Sequence, residues 1–219
     1  MRMIPPNRAP ARFRLLITGF GAFPGARTNP TLEIASRLAR SRRAASHGVD
    51  IISGILPVVY SGVEQRLAEL TQRVRPDAIL HLGLAGRRRE MSVETRALNR
   101  LSTLRPDAAR GWPSSSLVHP AGPLARRSRW SPERLAVVMR KTGAPTKLSI
   151  DAGDYLCNHV LYLTLATTGV PAGFIHVPRP RGRRSSGFDE RPTLPAMTRA
   201  IEAAVLELAR CARASKGFS

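Results

Sequence analysis

The apolar residues between positions 12 and 84 switch repeatedly between two periods, and this alternation restricts the fold more than any other feature of the chain. Residues 12–18 hold a nearly continuous apolar run (Phe13, Leu15, Leu16, Ile17), which predicts a buried strand. Residues 30–43 follow with Leu32, Ala35, Leu38 and Ala39 on one helical face, and Pro30 suits a first helical turn. Residues 50–56 predict a second strand closed by Pro57. Residues 62–74 predict a helix with Val63, Leu67, Leu70 and Val74 on its inner face, and residues 78–84 a third strand. Strand, helix, strand, helix, strand at these lengths implies a mostly parallel sheet with right-handed crossovers.

The second half is read in the same way. Residues 86–99 form a loop with strand-like character near its end, and residues 104–130, rich in Pro, Ser and Arg, a long surface excursion. Helices are expected over 132–142, with Ser131 as N-cap, over 156–168 and over 195–213. Strands are expected over 146–150 and 172–177, the latter stopped by Pro178. Neither an internal repeat nor a domain break is visible. Residues 12–213 are therefore expected to form one domain, between a disordered leader (1–11) and a tail (214–219).

Composition narrows the class of function. Cys157 and Cys211 are far apart, which is no disulfide framework and fits a reducing, cytoplasmic setting. No apolar run is long enough to span a membrane. The net charge of +20 raises the question of a nucleic-acid partner. The basic residues are almost all arginine, however, and lie scattered. Aromatics make up 5%, too few for base-stacking platforms, so nucleic acid is not the expected partner.

Chemistry concentrates in residues 148–159. Cys157 follows a Gly-containing turn and opens an apolar helix. Its thiol should feel the positive end of the helix dipole and the unsatisfied N–H groups there, both of which favour thiolate. His176 sits at the end of the strand over 172–177. Glu94 falls in the loop region after the strand over 78–84. Sites in open α/β sheets form at carboxyl strand ends. Cysteine nucleophile, histidine base and orienting carboxylate together have the logic of a catalytic triad. By residue type alone each also has a plain structural reading, and spacing cannot decide between the two.

Local motifs carry more. Ser149, Asp151, Ala152, Gly153, Tyr155, Cys157 and Asn158 stand in the pattern of one signature. Gly83, Gly86, Ser92, Glu94, Ala97 and Asn99 follow a second. Gly173, Phe174, His176, Val177 and Pro178 follow a third, and Thr18, Gly19, Phe20, Phe23, Asn29 and Pro30 a fourth. In these the chain resembles the pyroglutamyl peptidase type I family of cysteine peptidases. The resemblance implies a single α/β/α sandwich with a mostly parallel central sheet. It also implies hydrolysis of the amide bond after an N-terminal pyroglutamyl residue by Cys157, His176 and Glu94. Neither metal nor cofactor would be needed, and homo-oligomers are common in the family. By position, Phe20, Phe23, Tyr155 and Leu156 would line the pocket for the lactam ring, whose flat neutral face suits aromatic walls.

The match departs from the family at Leu84, where a glutamine is usual, and at Thr95, where a basic residue is usual. It departs again at Arg87-Arg88-Arg89, over residues 123–130, and at Arg179-Pro180-Arg181. The resulting arginine-rich rim leaves two alternatives open: a divergent cysteine amidase or peptidase with another N-terminal or lactam substrate, or a non-enzymatic polyanion-binding relative. Cys211 is expected to be structural.

Overall fold

A computed structural model describes residues 12–23, 26, 28–182 and 189–216. The leader expected over 1–11 lies outside these residues. Six strands form one sheet: β1 (Phe13–Phe20), β2 (Val49–Leu56), β3 (Ala78–Leu84), β4 (Met91–Glu94), β7 (Thr146–Ser149) and β8 (Ala172–Val177), in the order β2-β1-β3-β8-β4-β7. The β2-β1-β3-β8 part is parallel throughout. β4 runs antiparallel to β8 and parallel to β7. Two short strands, β5 (Arg96–Leu98) and β6 (Ala125–Arg127), pair outside this sheet.

Helices cover both faces, as the alternation of strand side chains requires. Leu15 and Ile17 of β1, Leu80 and Leu82 of β3 and Ile175 of β8 pack on α1 (Pro30–Ala39), α4 (Pro132–Arg140) and α6 (Leu194–Lys216). Leu16, Ile79 and Phe174 pack on α3 (Tyr60–Val74) and α5 (Leu156–Thr167). This is an α/β/α sandwich. The helix α5 is buried nearly all round, because the β5–β6 pair and its flanking chain close over the side turned away from the sheet.

Several expected boundaries move. The helix expected over 30–43 is interrupted: Ser41 caps a new helix, α2 (Arg42–Ser46), its hydroxyl accepting from the Ala44 N–H. α6 continues to Lys216, into the stretch expected as a tail. The largest correction concerns Glu94, which ends a strand in the interior of the sheet and is fully buried rather than lying in a loop. Met91 and Val93 face one helical layer while Ser92 and Glu94, also fully buried, face the other. A strand buried on both faces that carries polar residues on one of them shows no apolar run.

Candidate active site

The face of the sheet that meets α5 carries the polar side chains. His81 and Gly83 of β3, His176 of β8, and Ser92 and Glu94 of β4 all lie on it by register. Glu94 pairs with Phe174 and His176 with Ser92, so Glu94 and His176 are diagonal neighbours. His176 Nδ1 donates to Glu94 Oε1 at 2.7 Å, with both side chains buried. That bond places the proton on Nδ1 and leaves Nε2 as the acceptor.

Cys157 reaches this face from above. Asp151 Oδ1 accepts from the Gly153 N–H at 2.9 Å and sets the turn. Gly153 adopts φ +90°, a conformation glycine takes without strain. The chain then enters α5, with Cys157 in its first turn and no side chain capping the N-terminus at Tyr155. The thiol descends onto Gly83: a Cβ there would lie 2.9 Å from Cys157 Sγ and 2.6 Å from the Phe174 ring. A glycine at the end of β3 therefore makes room for the sulfur beside His176.

Cys157 and His176 line one cavity of about 220 Å³. Phe20, Phe23, Tyr155 and Leu156, each expected at the pocket, line it too, together with Val58, Leu84 and Ala152. Glu94 stands behind His176 rather than at the cavity surface. Asn29, Arg105 and Asp154 complete the polar lining. Asn29 is the N-cap of α1, and its side chain also donates to the Gly21 carbonyl, so it ties the loop after β1 to the helix.

Electrostatics overturn one expectation. Burial pushes the Cys157 thiol up to about 12, and the nearby Glu94 charge adds to the rise. Arg88 and the Cys157 N–H act the other way without offsetting it. The first-turn position does favour thiolate, but desolvation wins.

Arg88, which the sequence places only in the arginine-rich rim, reaches further into the site. Its guanidinium donates to Glu94 Oε1 at 2.7 Å and to the Asp151 carbonyl at 3.0 Å. It thus joins the carboxylate behind His176 to the turn that presents Cys157. The available signal was three consecutive arginines, which reads as a basic rim and does not single out Arg88. Ser92 Oγ and Glu94 Oε2 are buried without a hydrogen-bond partner among the described residues.

The stretch 123–130, expected at the pocket rim, lies elsewhere. Arg126 stacks over the Tyr162 ring, and Arg129 donates to the Thr168 and Leu165 carbonyls at the far end of α5. These are carbonyls a helix end leaves unpaired. Asn158, beside the cysteine, serves the fold. Its amide bonds Leu98 N–H, Leu98 O and Arg100 O and clamps β5 to α5. Among the described residues no group of three or more His, Cys, Asp or Glu could hold a metal ion. No helix among them is long and apolar enough to cross a membrane.

The sequence profile of the pyroglutamyl peptidase family matches residues 13–212. The pyrrolidone-carboxylate peptidase of Levilactobacillus brevis is 35% identical over 170 residues, covering 75% of this chain and 81% of the relative. That of Streptomyces coelicolor is 36% identical over 170 residues, covering 75% and 77%. Among solved structures, Bacillus amyloliquefaciens pyroglutamyl peptidase I superposes with a TM-score of 0.82 at 27% identity over 91% of this chain and 98% of that one. The pyrrolidone carboxyl peptidase of Thermococcus litoralis gives 0.81 at 28% identity over 93% and 96%. A thiol, a carboxylate-held histidine and an apolar cavity on this fold thus have one family in common, and the chain belongs to the pyroglutamyl peptidase family of cysteine peptidases.

Proposed function

We propose that the chain hydrolyses the amide bond following an N-terminal pyroglutamyl residue, with Cys157 as nucleophile, His176 as general base and acid, and Glu94 holding His176. The observation that carries this reading is the 2.7 Å bond from His176 Nδ1 to Glu94, beside a cavity that His176 shares with Cys157. Nε2 takes the thiol proton as the sulfur attacks the carbonyl carbon. The upward shift that burial gives the thiol fits a proton transfer made within this step. The negative oxygen of the tetrahedral intermediate meets the uncapped first-turn N–H groups of α5. Collapse expels the amine, which leaves with the proton from Nε2, and a pyroglutamyl thioester remains. Water, giving a proton to Nε2, attacks that thioester and releases pyroglutamate. The thiol is then restored.

Phe20, Phe23, Leu156, Val58 and Leu84 supply the apolar walls that a neutral five-membered lactam needs. A charged, free N-terminus would lose its hydration against these apolar walls. The test is release of aminomethylcoumarin from its pyroglutamyl amide by the reduced protein, with loss of release in Cys157→Ala and after thiol alkylation. A pure, folded, reduced protein that releases nothing overturns the assignment.

A further inference from the structure

We infer that the mouth of the cavity selects pyroglutamyl substrates that carry a carboxylate just beyond the scissile bond, and that Arg105 is the residue that reads it. The inference rests on the function proposed above and concerns which pyroglutamyl peptides the site prefers.

The chemistry of the substrate sets the problem. A pyroglutamyl residue has neither a free ammonium group nor a free carboxyl group. The first charge such a peptide can bring to the site therefore lies on the residue after the scissile bond. It is either that residue's side chain or, in a dipeptide, its C-terminal carboxylate. Among the described residues lining the cavity, Arg105 is the one with a permanent positive charge.

Its backbone is held on both sides by bonds to the cavity wall. Before it, the Ser102 N–H donates to the Asp154 carbonyl at 2.6 Å. After it, the Tyr155 hydroxyl donates to the Pro106 carbonyl at 3.1 Å, and the Ala108 N–H donates to the Val58 carbonyl at 2.9 Å. Buried Asp107 accepts from the N–H groups of Tyr60, Ala109 and Gly111 at 2.8, 2.9 and 2.7 Å. Three of these bonds reach Asp154, Tyr155 and Val58, which line the cavity themselves.

The guanidinium, by contrast, is only loosely engaged. Its acidic neighbour is Asp154 at 3.7 Å, beyond hydrogen-bond length, and its side chain is 65% exposed. Arg88 and Arg100 are committed differently, with bonds of 2.7 and 2.8 Å to Glu94 and Asp151. Asp154 keeps Arg105 over the mouth at a distance that a bidentate substrate carboxylate improves on.

The test compares kcat/KM for pyroglutamyl-alanine amide, pyroglutamyl-glutamate amide, pyroglutamyl-lysine amide and free pyroglutamyl-alanine, in the wild type, Arg105→Gln and Arg105→Glu. Ratios between substrates are read within each variant, so a loss of folded protein cancels. The wild type is expected to prefer at least one carboxylate-bearing substrate by about two- to fivefold, the range of an exposed charge pair. The preference should lie in KM and shrink with added salt. Arg105→Gln should level it, and Arg105→Glu should turn it towards the lysine peptide. Preference for the glutamate amide identifies a side-chain carboxylate, and preference for the free dipeptide a C-terminal one. Hydrolysis of the neutral amide with no preference, or a preference that survives in Arg105→Gln, overturns this inference and leaves the proposed function standing. Failure to cleave any of the four overturns both.

Discussion

Two buried histidines look out from the same face of the sheet, and they do opposite things with their nitrogens. His81, in the middle of β3, sits between two hydroxyls, Thr18 Oγ1 at 2.6 Å and Thr164 Oγ1 at 2.8 Å. Both ring nitrogens are occupied, no carboxylate balances a positive charge, and burial pushes its pKa down to about 3. His176, near the end of β8, has one nitrogen on Glu94 and turns the other edge to the cavity. Burial is common to the two. What separates them is what stands at the second nitrogen: a threonine for His81, an open cavity that also holds a thiol for His176.

The sharpest way to break this contrast is to remove each ring in turn. His176→Ala should lower kcat by about a thousandfold or more. His81→Leu should leave the kcat of the folded fraction close to wild type but cost about 1–3 kcal/mol of stability, because Thr18 and Thr164 lose their shared partner. Steady-state kinetics and urea unfolding read the two effects. Equal losses of kcat would show that the two histidines do not differ in role.

Glu94→Gln should come next in size, lowering kcat by about a hundred- to ten-thousandfold as the imidazolium loses its counter-charge. The same change removes one of the influences that raise the Cys157 thiol. The pH midpoint of Cys157 alkylation should therefore fall while turnover collapses. A midpoint that stays or rises would remove Glu94 from the electrostatics of the thiol. Gly83→Ala should follow, at up to about a hundredfold in kcat, since its methyl group displaces Cys157 Sγ, Phe174 or both. Unchanged turnover would mean that the sulfur tolerates the shift.

The smallest effect concerns His81 and acid. Its folded pKa lies below the ordinary value of 6.5, so above about pH 6.5 it brings no penalty. As pH falls from there towards 3, the unfolded chain binds a proton that the folded one refuses, and stability declines. Between pH 7 and pH 5 this amounts to about 2 kcal/mol. The His81→Leu variant should lack that part of the slope in pH-dependent urea titrations. A variant with the wild-type slope would show that His81 protonates without unfolding the protein.

Legibility in the sequence follows the same divide between local and long-range causes. β3 and β8 stand where their apolar runs place them, over 78–84 and 172–177, because a strand buried on both faces announces itself. β4 does not, since its buried polar residues Ser92 and Glu94 alternate with Met91 and Val93. The approach of Cys157, His176 and Glu94 is readable from motifs. The raised thiol pKa is not, because desolvation depends on what packs around the sulfur. Arg105 is invisible for a related reason: bonds between residues 102–108 and distant parts of the chain bring it to the cavity, and no local pattern encodes them. The rim expected at 123–130 goes astray because arginine stacked on a ring or capping a helix has the same letters as arginine at a pocket mouth.

The clamps around the long excursion have a consequence for substitution. Asn158 fastens its entry at Leu98 and Arg100. Asn99 bonds the His119 N–H and the carbonyls of His119 and Gly122, which closes its return. Two asparagines thus close the ends of the excursion, with Arg105 inside it and Cys157, His176 and Glu94 outside. A substitution at Arg105 can therefore change the charge at the cavity without changing the identity of any of those three residues.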